Sequence, residues 1–357
     1  MALPRPPTAC TPSTVTIGVD PHKRSHTAAV LDSRQQVLDR LRVPSTRAGY
    51  RALRRWAARW PDRRWALENA AGLGRTLAQW LLGDHEAVVD VPAKLSARVR
   101  VLSTGHGRKT DPADAVSTAL AACGPTPLQG AALDAHATTL RLLSDRRDDL
   151  VARRTQVLNR LHSLLALLAP GRTPPHLSAE RAAALLRRVR PAEGPAQTRR
   201  LLAKELLREV RYLDAAIAAS ETQIAAAVQA SHSTLVDRFG IGAILAAKVL
   251  GRVGNLHRFP SAAHCASYCG VAPIEASSGD VVRHRLSRAG DRQLNYALHV
   301  MAIGQARGHP AGRAYYLRKR TEGHSEKEAL RCLKRRLADV VYHHLLHDAQ
   351  AQRVAPS

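Results

Sequence analysis

Thr14-Val-Thr-Ile-Gly-Val-Asp20, followed by Pro21-His-Lys-Arg-Ser-His-Thr-Ala-Ala-Val-Leu-Asp32, decides the fold of this chain. The first piece is β-branched and apolar up to its last residue, which predicts a buried strand that ends on a carboxylate. The second piece predicts an antiparallel partner strand. Since α/β folds place their chemistry where strands leave the core, Asp20 is a candidate site residue. An ordinary Asp-Pro turn explains the same residues equally well.

The charge of the chain points to a polyanionic partner. Its 357 residues include 54 Lys and Arg against 29 Asp and Glu, a formal net charge of +25. Such an excess favours nucleic acid. Most of the cations are arginine, which binds phosphate through two parallel hydrogen bonds. A GC-rich genome would explain arginine in place of lysine, but not the excess of basic over acidic residues.

The five cysteines are scattered and unpatterned, which argues against a disulfide framework and fits a reducing cytoplasm. His264, Cys265 and Cys269 lack the paired spacing of a zinc site. No apolar run approaches the ~20 residues of a membrane span. Residues 1–13 are rich in Pro and Thr, which predicts a disordered tail and not a signal peptide. The expected location is the bacterial cytoplasm, associated with the nucleoid.

Strand and helix patterns alternate after the first hairpin. Residues 36–43, 64–69 and 87–91 predict further strands, and residues 46–60, 72–82 and 92–102 predict helices. The strand at 64–69 carries Glu68 near its end. Three strands followed by helix, strand, helix, strand and helix is the order of a ribonuclease-H-like domain, which mixes antiparallel and parallel pairs.

A second pair of acids begins another helix. In Lys109-Thr-Asp111-Pro-Ala-Asp114-Ala, Thr110 or Asp111 is a good N-cap and Pro112 suits the first turn. Asp111 and Asp114 are three residues apart and therefore share one helix face. An acidic first turn that only stabilises the helix is the alternative interpretation.

The middle of the chain predicts an antiparallel helical arm. Leucine-rich helical patterns cover residues 131–169 and 196–231, with a Pro- and Gly-broken segment between them. The apolar seam predicts a coiled coil that packs on a second copy. A helical domain packed within one monomer is the alternative.

Two later motifs suit phosphate chemistry. Gly240-Ile-Gly242 at the start of a helix resembles the turn of a helix-hairpin-helix, whose backbone amides approach phosphates. A Gly-rich helix turn without a ligand is the alternative. Ser277-Ser278-Gly279 is followed by Arg283, His284, Arg285, Arg288 and Arg292. A hydroxyl followed by cations is what a phosphate-attacking serine requires, although most Ser-Gly pairs are loops.

Four acids fall at the ends of predicted elements of one domain: Asp20, Glu68, Asp111 and Asp114. A ribonuclease-H-like fold brings these elements to one edge of its sheet. Carboxylates that lie close together cannot all stay ionised without cations, so the set predicts a site for one or two Mg²⁺ ions. Paired metals of this kind catalyse phosphoryl transfer.

Together these motifs resemble the DEDD insertion-sequence transposases that carry a catalytic serine, the bridge-RNA-guided serine recombinases. The resemblance runs from about residue 14 to 345, and the Lys-Thr-Asp-x-x-Asp-Ala motif is its most specific part. The residues that carry it are Ile17-Gly-Val-Asp20 with His22 and Lys23, Leu67-Glu68, Val91-Pro-Ala-Lys94, Lys109 to Ala115, Gly240-Ile-Gly242, Gly270-Val-Ala-Pro273 and Ser277-Ser278-Gly279.

The resemblance implies the fold and the site residues. It implies a RuvC-like catalytic domain at 14–125, a coiled-coil arm at 126–232 and a transposase C-terminal domain at 233–347. The disordered tail expected at 1–13 and a polar tail at 348–357 flank these domains. Asp20, Glu68, Asp111 and Asp114 match the metal-binding tetrad. Ser278 matches the family serine because it precedes a glycine, with Ser277 beside it as the alternative. Asp280-Val-Val replaces the usual Gly- and Lys-rich run that follows this serine.

The resemblance also implies the partners. Family members bind double-stranded DNA and a noncoding guide RNA, and act as homo-oligomers, from dimer to tetramer, with the serine of one subunit completing the site of another. Contacts to nucleic acid are expected from Lys23, Lys109, Gly240, Gly242, Arg283, Arg285 and Arg288. The rival functions are a metal-dependent junction-resolving nuclease that activates water and a non-catalytic nucleic-acid-binding module.

Overall fold

The computed structural model describes residues 14–354 except 71, 105–109, 126–127, 129, 132–133, 192, 278–283, 286 and 288–289. The chain divides into two compact units, Met1–Leu133 and Asp134–Ser357. The boundaries of the predicted domains at 125, 232 and 347 stay a prediction. No helix among the described residues is long and apolar enough to span a membrane.

The first unit is built on a five-stranded sheet. Its strands are β1 (Val15–Pro21), β2 (Ser25–Leu31), β3 (Val37–Pro44), β4 (Arg63–Glu68) and β5 (Val88–Val91), in the order β3-β2-β1-β4-β5. The pairs β1–β2 and β2–β3 are antiparallel, and the pairs β1–β4 and β4–β5 are parallel. This is the mixed sheet that the order of the sequence patterns predicted, so the α/β class of this unit is confirmed.

Helices cover both faces of the sheet: α1 (Arg47–Ala57), α2 (Arg75–Gly83), α3 (Ala93–Thr104) and α4 (Asp111–Cys123). Alternate residues of each strand face opposite sides. On one face, Ile17, Val19 and Trp65 form a core with Leu53 of α1 and Leu77 of α2. On the other face, α4 packs on the central strands.

Gly18 allows α4 to lie directly on β1. A Cβ atom at Gly18 would lie 2.2 Å from the carbonyl oxygen of Ala115 and 2.5 Å from the backbone nitrogen of Ala119. Alanines 115 and 119 pack there against Ala29 and Leu31 of β2. Small residues on both elements therefore bring the start of α4 close to the end of β1, where Asp20 lies.

The second unit is helical. Its helices are α5 (Ala135–Leu168), α6 (Ala179–Arg188), α7 (Gly194–Gln229), α8 (Ala243–Val253), α9 (Ala262–Tyr268), α10 (Arg292–Gly308), α11 (Pro310–Thr321) and α12 (Glu326–Val354). Two short strands, β6 (Ile274–Glu275) and β7 (His284–Arg285), pair antiparallel. Two 3₁₀ turns span Thr234–Asp237 and Leu256–Arg258. Most of the helices around α8 and α10 share one core, which includes Val249, Leu298 and Leu337.

The predicted arm is present as α5, α6 and α7. Helices α5 and α7 run antiparallel, since Arg147 pairs with Glu221 whereas Arg153, one and a half turns later, pairs with Glu209. The apolar seam of α5 packs within this chain, where Val157 and Leu161 meet residues of α6 and α7. Coiled-coil packing and a second copy on the arm stay predictions.

The Gly240-Ile-Gly242 turn precedes α8. Gly240 has a φ of +85°, a conformation that favours glycine, and Gly242 is the N-cap of α8. A 3₁₀ turn, not an α-helix, lies before it. The helix-hairpin-helix interpretation therefore also stays a prediction.

Candidate metal centre

Asp20 lies where β1 leaves the core. The residue is 7% exposed and pairs with Thr27 across the antiparallel ladder. On the other side of β1, Val19 is in register with Leu67, so Glu68 follows at the same edge of the sheet. Parallel pairing of the two strands thus places both carboxylates side by side.

The first turn of α4 brings two more acids to this edge. Thr110 caps the helix, and its hydroxyl accepts a hydrogen bond from the Ala113 amide. Asp111 is partly exposed, whereas Asp114 on the same turn is 2% exposed. Helix α4 therefore presents one accessible and one buried carboxylate beside the ends of β1 and β4.

The four acids interact electrostatically. Burial raises the pKa of Asp20 above its ordinary value, and the negative charges of Glu68, Asp114 and Asp111 raise the pKa further. His22 acts in the opposite direction. Each of the other three carboxylates is therefore close enough to oppose ionisation of Asp20, which is the situation that a bound cation relieves.

His22 joins this set, and no role was assigned to it from the sequence. Its Nε2 atom lies 3.0 Å from Oδ2 of Asp20 and 3.3 Å from Oδ1 of Asp111. Asp20, His22 and Asp111 each offer a ligand atom within 4.8 Å of the others. The spacing of two residues between Asp20 and His22 was the available signal, since residues i and i+2 of an extended segment face the same side.

Cations and hydroxyls of the protein compensate the remaining charge. Arg100 of α3 forms an ion pair with buried Asp114. Arg42 of β3 lies 3.5 Å from Oδ2 of Asp111. The Thr118 hydroxyl lies 2.8 Å from the Asp114 carbonyl oxygen, to which it donates, and 3.5 Å from Oε2 of Glu68. These contacts hold the helix and the strand ends in one arrangement.

The residues present fit a divalent cation. Oδ2 of Asp20 and Oδ2 of Asp114 are buried and accept no hydrogen bond from any residue that the structure describes. His22 is near the first of these atoms but does not have the geometry of a hydrogen bond to it. Buried carboxylate oxygens without donors are the hard ligands that cations such as Mg²⁺ and Ca²⁺ take. Asp20, Glu68, Asp111 and Asp114, with His22 beside them, are the residues that would hold it.

Other predicted site residues lie elsewhere or outside the described part of the chain. Lys23 is exposed two residues beyond the strand end, close in sequence to Asp20. In the second unit, Ser277 and Arg285 are exposed. Four predicted site residues lie outside the described residues: Lys109, Ser278, Arg283 and Arg288.

Comparisons with known proteins identify the family of this chain. A DEDD transposase family model of the IS110 type matches residues 17–170, and the model of the IS116/IS110/IS902 transposase family matches residues 233–317. The class is therefore that of the transposases, which are DNA-cutting enzymes. The chain belongs to the IS110/IS116/IS902 family of insertion-element transposases.

Curated relatives are proteins of insertion elements. The 44.8 kDa protein of IS116 from Streptomyces clavuligerus is 28% identical, over 95% of this chain and 96% of the relative. The 42 kDa protein of IS900 from Mycobacterium paratuberculosis is 29% identical, over 91% and 94%. The 43.6 kDa protein of IS110 from Streptomyces coelicolor is 38% identical over 35% of this chain and 31% of the relative.

A solved structure with a similar chain is that of RuvC from T. thermophilus in complex with a Holliday junction substrate. The match covers 30% of this chain and 91% of the RuvC chain, with 14% identity and a TM-score of 0.25.

Proposed function

We propose that this transposase cuts and rejoins DNA strands by Mg²⁺-assisted phosphoryl transfer at Asp20, Glu68, Asp111 and Asp114. The observation that carries the proposal is the electrostatic coupling of Asp20 to the other three carboxylates at one edge of the sheet. A chain with a net charge of +25 attracts DNA to such a site. Membership of a transposase family supplies the substrate class.

The four carboxylates share one role in the proposal, and neighbouring residues position them. Asp20 and Glu68 at the strand ends and Asp111 and Asp114 on α4 supply oxygen ligands, and a bound Mg²⁺ would stabilise negative charge on the attacking and leaving oxygens. Arg100 orients Asp114 through their ion pair. Thr118 positions Glu68 relative to the backbone of α4.

Ser278 is the proposed nucleophile. Its hydroxyl oxygen attacks the scissile phosphorus, an O–P bond to the serine forms, the bond to the 3′ oxygen breaks, and a 3′-hydroxyl leaves. The phosphoseryl bond conserves the phosphodiester, so a 3′-hydroxyl can attack it and rejoin strands without ATP. Support comes from the resemblance around Ser277-Ser278-Gly279 and from the arginines that follow it. Ser277 is the alternative nucleophile.

The proposed partners are element and target DNA, a noncoding guide RNA encoded by the element, and further copies of this chain. The serine of one copy would complete the carboxylate site of another. These proposals rest on the family resemblance, and the excess of basic residues supports nucleic-acid partners in general.

A denaturing gel tests the reaction. The protein is incubated with labelled DNA that spans an element end, together with Mg²⁺ and RNA transcribed from the flanks of the element. The expected product is a covalent protein–DNA adduct that disappears in Ser278→Ala and persists in Ser277→Ala. Cut DNA without an adduct would identify the water-activating nuclease instead. Asp20→Asn is expected to bind DNA without cutting it, and unchanged cutting by this variant would contradict the metal site.

A further inference from the structure

A groove of about 200 Å³ opens beside the carboxylates, between β3 and the start of α4. Strand β3 is the edge of the sheet, and α4 covers β1 and β2. Arg40 and Arg42 of β3 pair with Ala29 and Thr27 on the side of the sheet that α4 covers, and both are exposed. The groove is lined by Thr27, Arg40, Leu41, Arg42, Asp111 and Pro112.

The register of the sheet connects this groove to the metal centre. Asp20 pairs with Thr27, and Thr27 pairs with Arg42. Directly paired residues face the same side of a sheet, so these three residues form one cross-strand row. Two strand spacings separate its ends by about 10 Å, which is a short distance along a DNA backbone.

Thr27 is the buried residue that lines the groove. The residue is 4% exposed, and its hydroxyl forms no hydrogen bond with any residue in the described part of the chain. Buried hydroxyls nearly always have a partner. A hydroxyl in this position therefore indicates a ligand that accepts or donates a hydrogen bond inside the groove.

The walls of the groove indicate the charge of that ligand. The Arg42 side chain is 66% exposed, hydrogen-bonds Oγ of Ser25 and lies 3.5 Å from Asp111. The Arg40 side chain is exposed on the same face. Two guanidinium groups and one hydroxyl suit a phosphate oxygen. The single negative charge, Asp111, is one that a cation at the metal centre would compensate.

We propose that this groove binds a backbone phosphate of the DNA strand that is cut, close to the scissile phosphate. Thr27 donates its hydroxyl hydrogen and Arg42 donates its guanidinium hydrogens to that phosphate, with Arg40 beside them. The groove thereby fixes the direction in which the strand crosses the metal centre. This inference rests on the proposed function, because it takes the carboxylates as the place of cutting.

Salt-dependent DNA binding of the full-length protein tests the groove. Binding of a labelled DNA duplex is measured against salt concentration, with Ca²⁺ replacing Mg²⁺ so that binding is followed without cutting. Arg42→Gln is expected to weaken binding about tenfold at low salt and to reduce the slope of log K against log salt by about one, as expected for one lost phosphate contact. Thr27→Val, which keeps the shape of the side chain, should weaken binding without changing the slope.

Arg55→Gln is the matched control, since Arg55 is an exposed arginine of α1 on the other face of the sheet. The proposal is overturned if Arg42→Gln and Arg55→Gln have the same slope as the unchanged protein. A loss of slope with single-stranded RNA and not with DNA would also overturn it, because the groove would then bind guide RNA.

A second readout separates this inference from the proposed function. Cutting positions are mapped first, and a neutral methylphosphonate then replaces each phosphate near the cut in turn. At one position, the replacement should weaken DNA binding by the unchanged protein and have no effect on binding by Arg42→Gln. If no position behaves in this way, the groove proposal is overturned even where the protein cuts DNA. If the protein never cuts DNA but the slope falls in Arg42→Gln, the proposed function fails, and the groove binds a DNA backbone phosphate that has no cut beside it.

Discussion

Asp20 is the buried carboxylate whose ionisation the other three acids oppose. Its ionised form is opposed by burial and by the charges of Glu68, Asp114 and Asp111, with partial relief from His22. Its pKa in the folded protein therefore lies above the unfolded value of 3.8. The folded state holds this proton more tightly, so the metal-free protein loses stability as the pH rises through the raised pKa.

Asp20→Asn should remove this loss. We expect the metal-free variant at neutral pH to gain unfolding free energy, since it no longer holds an ionised carboxylate in a buried position beside three others. Below pH 3.8 the gain should vanish, because Asp20 is then protonated in both states. Thermal unfolding in EDTA across this pH range measures the effect. A variant that is less stable at neutral pH would show that His22 outweighs the other charges.

Arg100 is expected to matter most when no metal is bound. Removing one partner of a buried ion pair typically destabilises a protein by about 3–5 kcal/mol, because the other charge stays buried without compensation. Arg100→Gln leaves Asp114 in that condition. Urea unfolding in EDTA should show a loss of that order, and a divalent cation should restore part of it. Arg98→Gln changes an exposed arginine of the same helix and serves as the control.

Residue types predicted the acids of the site but not their partners. Asp20, Glu68, Asp111 and Asp114 each stand at a recognisable end of a strand or helix, so pattern alone locates them. Arg42, Arg100 and Thr118 stand within a strand or helix and have ordinary sequence surroundings. Their positions at the centre depend on sheet register and helix packing, which a single sequence does not specify.

At the scale of elements, the contact between α4 and β1 fixes the geometry of the centre. Both acids of α4 depend on the close approach that Gly18 permits. The sequence predicted the strand and the helix, but their contact is tertiary. The sequence feature that favours this contact is the small size of Gly18 in the strand and of Ala115 and Ala119 in the helix, which allows the two elements to pack closely.

Gly18→Ala should disrupt the centre without changing any acid. The added Cβ would meet backbone atoms of α4 at 2.2 and 2.5 Å, so the helix must move. Overpacking of this kind destabilises proteins by about 1–3 kcal/mol, and metal affinity should fall with it. Urea unfolding and calorimetric titration with Mg²⁺ measure both effects. Gly83→Ala is the control, since among the described residues its added Cβ would meet no atom within 4 Å beyond its chain neighbours and its own helix backbone. Metal binding equal in both variants would contradict the prediction.

Helix and strand boundaries were predictable to within a few residues, and packing partners were not. The third strand was expected at residues 36–43 and spans Val37–Pro44. The first arm helix was expected at 131–169 and spans Ala135–Leu168. The apolar seam of that helix packs on residues of α6 and α7, and a second copy on the arm stays a prediction. Periodicity gives the face that is buried but not the surface that buries it.

At the scale of the whole molecule, the proposed reaction divides its residues between the two units. The carboxylates belong to residues 14–133 and the proposed serine to the unit that begins at Asp134. The first unit has its own sheet and its own apolar cores. Mg²⁺ should therefore raise the unfolding temperature of full-length Ser278→Ala as much as it raises that of the unchanged protein. Thermal unfolding with and without Mg²⁺ measures both shifts. A smaller shift in Ser278→Ala would place the serine among the metal ligands.

Mixing two inactive variants tests whether the serine acts between copies. The Asp20→Asn variant retains Ser278, and the Ser278→Ala variant retains all four carboxylates. If copies pair at random in a two-fold dimer and each site draws on both, roughly a quarter of the sites in an equal mixture should be intact. The measurement is adduct formation on labelled DNA, relative to the unchanged protein. The control is a mixture of Ser278→Ala with a variant that carries both Asp20→Asn and Ser278→Ala, because neither protein in that mixture has Ser278. An equal mixture that stays as inactive as this control would place the serine and the carboxylates of each site on one copy.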